Sequence, residues 1–305
     1  MEVDFFKDLE LEIKEKLSEF GYPIPSFVEL RKQHFSATEA HLCHRHYDIK
    51  NLVLHFLTVT ERRIPIKKWN IHISPQLKNR TEIVNIESML SKGEDVNPFL
   101  SKQVKGKHQN KKTDLLRFEW GIYHIHLEEG GKGDEMLFVY FDGNEAYLLD
   151  ILLHEKDGAE HITWTNTDLI QILHDNWPHV IEGHIYGTDS KETLTPEQHR
   201  NARKNGCVTF VTVKDATEYM PMGGGFTSSK HPAMAVIGAD RLVDKVNVLE
   251  QWTINNEQQI KSALKLNDNN IEVRLVLDSN YNPYVYEVTQ KAVLNLLPPN
   301  QEPIN

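Results

Sequence analysis

The sequence has few of the features that a secreted or membrane protein requires. Its two cysteines, Cys43 and Cys207, are too few for a disulfide framework in 305 residues. No apolar run approaches the roughly 20 residues that a membrane-spanning helix needs. The first predicted helix, Val3 to Phe20, carries many charged side chains and is therefore not typical of a signal peptide. We expect a soluble cytoplasmic protein with reduced thiols and no membrane partner.

Several common catalytic signatures are also missing. The sequence contains neither the G-x-S-x-G turn of α/β-hydrolases nor the H-E-x-x-H helix of zinc proteases. The Walker spacing G-x-x-x-x-G-K-[ST] does not occur, although Gly223 to Gly225 precede Ser228, Ser229 and Lys230. This glycine triplet could cradle a phosphate, but a mobile loop is the simpler interpretation because glycine is first of all flexible.

The charge of the chain is unevenly distributed. A net charge of −10 argues against non-specific nucleic-acid binding by the whole surface, because binding to phosphates needs positive potential. The stretch Ser101 to Arg117 is the exception, since it holds six basic side chains and one acidic side chain, Asp114. Its basic residues are Lys102, Lys105, Lys107, Lys111, Lys112 and Arg117. Such a run is often a solvated face, but here it could bind RNA or an acidic protein partner.

The apolar pattern predicts an α+β fold, in which a central antiparallel β-meander is flanked by helices and by additional N- and C-terminal α/β segments. Three short apolar runs, Trp120–Leu127, Met136–Phe141 and Ala146–Leu153, are separated by polar and glycine-rich turns and form the meander. Trp69, Ile71 and Ile73 alternate with polar residues in a strand-like manner.

Helices are predicted on both sides of this meander. The first helix has a buried stripe at three- to four-residue spacing: Phe6, Leu9, Ile13, Leu17 and Phe20. The segment Asn51 to Thr60 fits a helix or a strand, and Asp244 to Leu264 fits a helix. A hairpin is predicted from Ile271–Leu277 and Tyr284–Val288. The expected domains are a mainly helical region at 1–100, the core at 101–183, an α+β region at 184–297 and a disordered tail at 298–305.

Two histidines on the first strand of the meander form the main candidate site. Residues two apart on a strand point to the same face, so His124 and His126 are expected to lie side by side, with Arg117 nearby. Two imidazoles and a cation can cleave RNA without a metal. One imidazole takes the 2′-hydroxyl proton, the other protonates the leaving oxygen and the cation holds the phosphate. This interpretation requires no cofactor and no metal.

Other interpretations of these histidines stay open. The pair could instead supply two zinc ligands, completed by His154 or Asp150, or it could simply line a polar face of the sheet. A second dense group, His41, Cys43, His44 and His46, also contains metal-binding residue types. It lacks a partner CxxC pair and shares no single helical face, so a polar helix surface is the better interpretation.

The order of elements from residue 100 to 156 resembles the core of RelE-type toxins, small α+β ribonucleases of bacterial toxin–antitoxin systems in the wider barnase-like group. The resemblance covers a basic approach, the strand with its histidines, an apolar middle strand and a last strand that ends in Leu152-Leu-His-Glu-Lys156. It implies catalytic roles for Arg117, His124, His126 and His154, and RNA contacts for Lys111 and Lys112. Nearly 250 residues lie outside this core. The stretch Asp114 to Leu127 also resembles uncharacterised bacterial proteins of mobile elements or defence systems.

The sequence therefore predicts an RNA-acting, metal-independent endoribonuclease of a bacterial toxin or phage-defence system. Its catalytic residues are expected to be His124, His126, Arg117 and His154. The RNA-binding residues are expected to be Lys105, Lys107, Lys111 and Lys112. Two alternatives remain: a non-enzymatic, antitoxin-like or defence-complex interaction protein, and a metal-dependent hydrolase that uses the histidine pair. If the histidines line a strand surface, replacing either by alanine should abolish cleavage but change stability by no more than about 1 kcal/mol.

Overall fold

The computed structural model describes residues 3–31, 45–101, 114–154, 163–265 and 271–294. Its α-helices are α1 Phe5–Glu19, α2 Phe27–Arg31, α3 Arg45–Thr60, α4 Val84–Lys92, α5 Leu115–Trp120, α6 Asp168–Asn176, α7 Pro178–Ile181, α8 Pro196–Lys204, α9 Ala233–Asn255 and α10 Glu257–Ala263. Short 3-10 helices span Pro75–Leu77, Thr81–Ile83, Asn97–Phe99, Thr163–Thr165 and Glu182–His184. No helix in these ranges is both long and apolar enough to cross a lipid bilayer.

The strands form three separate open sheets. They are β1 Asn70–Ile73, β2 Ile122–Glu128, β3 Lys132–Asp142, β4 Glu145–Leu153, β5 Ile185–Gly187, β6 Val211–Thr212, β7 Glu218–Tyr219, β8 Val273–Leu277, β9 Pro283–Glu287 and β10 Ala292–Leu294. Their orders are β1-β4-β3-β2, β5-β7-β6 and β10-β9-β8. The predicted α+β class is confirmed. The ambiguous segment after Asn51 is helical, as part of α3.

The chain forms two compact units. One contains Met1–Leu57 and Ala235–Asn305, and the other contains Thr58–Met234. This division differs from the expected boundaries near residues 100 and 183, because strand pairing and helix packing join segments that are distant in sequence. In the second unit, β1 pairs with β4 and so ties the region before residue 100 to the predicted core. The predicted tail, 298–305, lies outside the described residues.

In the first unit, α1 packs against β8 and closes one edge of the β10-β9-β8 sheet. The carboxylate of Asp8, which is buried, accepts a hydrogen bond from the N–H of Leu275 at 3.0 Å. One helical turn later, Glu12 accepts the N–H of Leu277 at 3.4 Å. Four residues along a helix and two residues along a strand both span about 6 Å. Asp8 and Glu12 therefore lie at the same spacing as the N–H groups of Leu275 and Leu277. The acidic face of α1 thereby satisfies strand N–H groups that would otherwise be left without partners.

We predict that Asp8→Ala lowers the free energy of unfolding by about 1–3 kcal/mol, because the Leu275 N–H loses its acceptor in a buried position. Arg274, whose Nη1 lies 3.2 Å from Asp8, loses this contact but keeps Glu272 as a partner. Urea unfolding of the full chain measures the change. The matched control is Glu15→Ala, at an exposed position of the same helix, which should stay within about 0.5 kcal/mol of the wild type. Equal stability of the two variants would contradict this role for Asp8.

In the second unit, β2, β3 and β4 form the predicted antiparallel meander, and β1 extends it by pairing in parallel with β4. One face of this sheet packs against α5, α6 and the β5-β7-β6 sheet through a large apolar cluster. Its largest members include Trp120 of α5 and Tyr219 of β7. In the strand register, His124 lies opposite Phe138 and His126 lies opposite Met136, and both of these partners belong to the cluster. The histidines therefore project from the face that carries the core.

Candidate functional site

The short helix α5 positions the start of the site. Asp114 is its N-cap, and the Oδ1 atom of Asp114 accepts the N–H of Arg117 at 3.1 Å. The helix ends at Gly121, which has φ +73° and donates its N–H to the Arg117 carbonyl at 3.0 Å. A Cβ at Gly121 would lie 3.0 Å from the ring of Tyr140, so both the conformation and the space favour glycine. This turn directs the chain from α5 into β2.

Three imidazoles meet at one end of the sheet, and we refer to His124, His126 and His154 as the imidazole cluster. The ring centroids of His124 and His126 are 6.4 Å apart, and those of His126 and His154 are 6.0 Å apart. His154 follows the last residue of β4, so strands at either side of β3 supply the rings. The indole of Trp164 contacts His124 at 4.9 Å and His154 at 5.3 Å between centroids. The cluster thus combines three titratable rings with one aromatic cover.

The first two imidazoles are buried. His126 is 3% exposed, and neither of its ring nitrogens has a hydrogen-bond partner among the residues that the structure describes. The Nδ1 atom of His124 lies 3.5 Å from the Oδ2 atom of Asp114. At that distance the carboxylate attracts a proton on the ring electrostatically, but the contact is too long for a good hydrogen bond. The expected small effect of alanine substitutions on stability assumed surface positions, whereas neither ring lies on the surface.

Burial lowers the pKa of both rings. For His124, burial is the main cause; the His154 imidazole and the Arg62 cation also lower the pKa, and Asp114 opposes them. For His126, burial is again the largest cause, followed by the two neighbouring imidazoles. The backbone of Lys132 and Gly133, the first two residues of β3, favours the protonated His126 ring, but by less than burial disfavours it. Both histidines are therefore neutral at physiological pH, each with one donor and one acceptor nitrogen.

This arrangement is suited to proton transfer. A neutral imidazole beside a carboxylate can accept a proton, because the carboxylate then stabilises the imidazolium. Asp114 faces the Nδ1 atom of His124, so the Nε2 atom is the nitrogen left for a substrate. His154 is half-buried, and so it is more accessible than His126. A proton acceptor and a possible donor therefore lie beside the same indole, that of Trp164.

The expectation that Arg117 lies close to the two imidazoles is wrong. Its guanidinium lies over the ring of Tyr123, 4.4 Å from the centroid, and Nη2 donates to the Glu61 carboxylate at 3.1 Å. Tyr123 precedes His124 on β2, so its ring projects from the opposite face of the sheet. An aromatic ring and a carboxylate on that face hold the cation there.

The other residues proposed from the sequence divide into two groups. Lys105, Lys107, Lys111 and Lys112 lie outside the described residues, as do the side chains of the His41 to His46 group. Asp150, the suggested third metal ligand, is two strands away from His124 in the register, or roughly 10 Å. Within the described ranges, no three His, Cys, Asp or Glu side chains are arranged to hold a metal ion. The described geometry thus gives no support to the metal-dependent alternative.

The glycine triplet is not a phosphate cradle. The N–H of Gly223 donates to the Glu119 carbonyl at 2.9 Å, and the N–H of Gly225 donates to the Phe118 carbonyl at 2.8 Å. The N–H of Gly224 donates to Pro221 at 3.0 Å, so all three donors are used within the protein. The loop instead satisfies the last carbonyls of α5, which a helix end leaves without partners.

Two residues of the site were not identified from the sequence. Asp114 stood out only as the single acid in a basic run, although an Asp before Leu115-Leu116 is a typical N-cap signal. Its approach to His124 depends on the turn at Gly121, which a sequence pattern does not specify. Trp164 has no recognisable signal, because an isolated tryptophan in a polar segment fits many environments.

The chain was compared with known proteins, and neither a family model nor a curated protein nor a solved structure matches it. The resemblance to RelE-type toxins therefore stays a prediction that rests on the residues alone.

We predict that Gly223→Ala lowers the free energy of unfolding by about 1–3 kcal/mol, because the added Cβ meets backbone atoms that cannot move independently. It would lie 2.4 Å from the carbonyl oxygen of Arg117 and 2.5 Å from that of Phe118. Gly183→Ala is the control, since a Cβ there meets nothing within 4 Å. Urea unfolding compares the two variants. If they have equal stability, the loop does not pack on α5 as described.

Acid should destabilise the protein through the imidazole cluster. The folded-state pKa of His126 is below its ordinary value near 6.5, so the unfolded chain binds its proton more readily. Stability is therefore complete above pH about 6.5 and falls as the pH drops toward the folded-state pKa. His126→Phe keeps an aromatic ring but removes the group that titrates. The dependence of the free energy of unfolding on pH should therefore become less steep, by up to about 1.4 kcal/mol per pH unit.

The measurement is the free energy of unfolding between pH 7 and pH 5. His179→Phe, at an exposed histidine in the same unit, is the control and should leave the slope unchanged. A His126→Phe slope equal to that of the wild type would show that His126 is not buried in its neutral form.

Proposed function

We propose that the protein is an RNA-acting, metal-independent endoribonuclease of a bacterial toxin or phage-defence system, with the imidazole cluster as its catalytic site. The observation that carries the proposal is the pair formed by His124 and Asp114, 3.5 Å apart, beside two further imidazoles. A serine or cysteine nucleophile is not needed for this chemistry, because the 2′-hydroxyl of RNA is the nucleophile.

Each ring has a defined role in the proposed reaction. His124, neutral and oriented by Asp114, takes the proton of the 2′-hydroxyl through Nε2 as that oxygen attacks the phosphorus. The bond from phosphorus to the 5′-oxygen breaks, and His154 gives this oxygen a proton. The products are a 2′,3′-cyclic phosphate and a 5′-hydroxyl. His126 lies between the two rings and can pass a proton from one to the other, which resets the site.

The choice of RNA as substrate is supported by the basic run. Its five lysines, between residues 102 and 112, come just before Asp114 in the sequence, with one residue between Lys112 and Asp114. In a chain with a net charge of −10, this run is the strongest local attraction for phosphates. Because Arg117 is paired with Glu61, the lysines take over the phosphate-binding role that the resemblance implied for Arg117.

One observation favours the second candidate, a non-enzymatic interaction protein. The side chain of His124 is 11% exposed and His126 is 3% exposed, so neither ring is open to a large substrate in this structure. In that case the cluster and Trp164 would act as a packed aromatic group, and the basic run would bind an acidic protein surface.

The experiment uses the purified full chain and a 5′-labelled single-stranded RNA, with and without EDTA. We expect cleavage that leaves a 2′,3′-cyclic phosphate and that EDTA does not inhibit. His154→Ala and His124→Gln should each reduce kcat by about 100-fold or more, the usual contribution of a general acid or base. Asp114→Asn should cause a smaller reduction. His179→Ala, at an exposed histidine outside the cluster, should cleave like the wild type.

Each other result decides between the candidates. Wild-type activity in folded His154→Ala and His124→Gln variants would overturn the catalytic site, and inhibition by EDTA would favour a metal-dependent hydrolase. A wild-type protein that binds RNA with a steep salt dependence but never cleaves it would be an RNA-binding protein. Absence of both cleavage and binding would leave the protein-interaction candidate.

A further inference from the structure

A buried ion pair lies close to the imidazole cluster in the second unit. The carboxylate of Glu119, on α5, is fully buried, and Arg203, on α8, is 5% exposed. The Nε atom of Arg203 donates to one carboxylate oxygen of Glu119. The other oxygen accepts from the backbone N–H of Thr209 at 2.8 Å and from its hydroxyl at 3.1 Å. Burying two charges is expensive unless their remaining hydrogen-bonding groups are satisfied, and here most of them are.

The same guanidinium has a second partner that leads to the site. Its Nη1 atom donates to the backbone carbonyl of Trp164, and its plane lies over the Trp120 ring at 4.3 Å. Trp164 is the residue whose indole contacts His124 and His154. One buried cation therefore connects a carboxylate of α5 with the backbone of the aromatic cover.

The segment that carries Trp164 has little structure of its own. It is a single 3-10 turn, Thr163–Thr165, and such turns are weakly stable by themselves. Besides the bond from Arg203, the hydroxyl of Thr163 donates to the Leu153 carbonyl at 2.8 Å, and the Trp164 indole packs against the Phe138 ring of β3 with 6.4 Å between centroids. Leu153 precedes His154, so this hydrogen bond holds the turn next to the imidazole cluster. Without the guanidinium, the backbone of the turn would keep the hydrogen bond next to His154, and apolar packing, which does not fix an orientation as a hydrogen bond does, would hold the indole.

We propose that Arg203 is a positioning residue, which holds the Trp164 indole against His124 and His154. The Nε atom donates to Glu119, and this hydrogen bond fixes the orientation of the planar guanidinium. The N–H groups of the guanidinium then point in fixed directions, and these determine where the Trp164 carbonyl can accept a hydrogen bond. The indole in turn keeps water away from one side of the two imidazoles. The catalytic meaning of this arrangement rests on the proposed ribonuclease function, but the placement of the indole does not.

The first test uses NMR to measure the position of the Trp164 indole relative to His124 and His154. In the wild-type protein we expect nuclear Overhauser effects between Trp164 indole protons and the ring protons of both His124 and His154, and their absence would overturn the proposal. Arg203→Lys keeps the charge but cannot bind both acceptors in the same fork. It should shift the ring resonances of both histidines, because the indole ring current moves. Lys204→Met, an exposed neighbour on the same helix, should leave them in place.

A second variant covers the case in which Arg203→Lys does not fold. The double variant Glu119→Gln with Arg203→Met removes both buried charges together, which is often tolerated, and also removes the bond to Trp164. It should show the same shifts. If either variant is folded and its His124 and His154 resonances coincide with those of the wild type, the ion pair is only structural and the proposal is wrong.

The second test uses RNA cleavage and separates positioning from binding. Arg203→Lys should lower kcat by roughly 100-fold, as a small displacement of catalytic groups can do, while KM for RNA stays the same. A higher KM with unchanged kcat would contradict a positioning role. If the wild type does not cleave RNA at all, the proposed function fails, but the NMR result still decides where Arg203 holds the indole.

Discussion

The buried carboxylate of Glu119 is the point at which four segments of the second unit meet. It lies on α5, accepts the guanidinium of Arg203 on α8 and receives two hydrogen bonds from Thr209. Through the guanidinium it also reaches the backbone of Trp164. An uncompensated charge in this position would be strongly destabilising, so these segments must come together before the carboxylate can be buried. The interaction therefore determines the arrangement of the segments more than it adds to the net stability.

The helix that carries Glu119 is only six residues long, yet both of its ends are held by other parts of the chain. At its N-terminus, Asp114 both caps the helix and faces His124. At its C-terminus, the Gly223–Gly225 loop satisfies the last carbonyls. A helix of this length is not stable alone, because few of its backbone groups have partners within it. Its stability comes from these tertiary contacts, and so the geometry of the candidate site and the folding of the unit depend on the same bonds.

The meander and the shared face of His124 and His126 could be predicted from the sequence, since both follow from the two-residue period of a strand and from turn residues. The direction of Arg117 could not be predicted. A long side chain near a strand can reach either face, and its choice of Tyr123 and Glu61 depends on α3 and its C-terminal turn, about 55 residues away in the sequence. The same limit applies to Trp164, Arg203 and the glycine loop, whose partners are all distant in sequence. The period of a strand predicts which side chains share a face of the sheet, but contacts between distant segments determine which other residues pack on that face.

His126 is a buried imidazole in a position that packing alone does not require. Its two nitrogens have no hydrogen-bond partner within the described part of the chain, and each buried polar atom left in this way costs about 1–3 kcal/mol. Its neighbours include Met136 and the other imidazoles, so a phenylalanine or methionine could fill the position without that cost. Packing alone therefore does not explain an imidazole here. Under the proposed function this ring takes up and releases protons, and lost stability is a common consequence of placing reactive groups in a dry site.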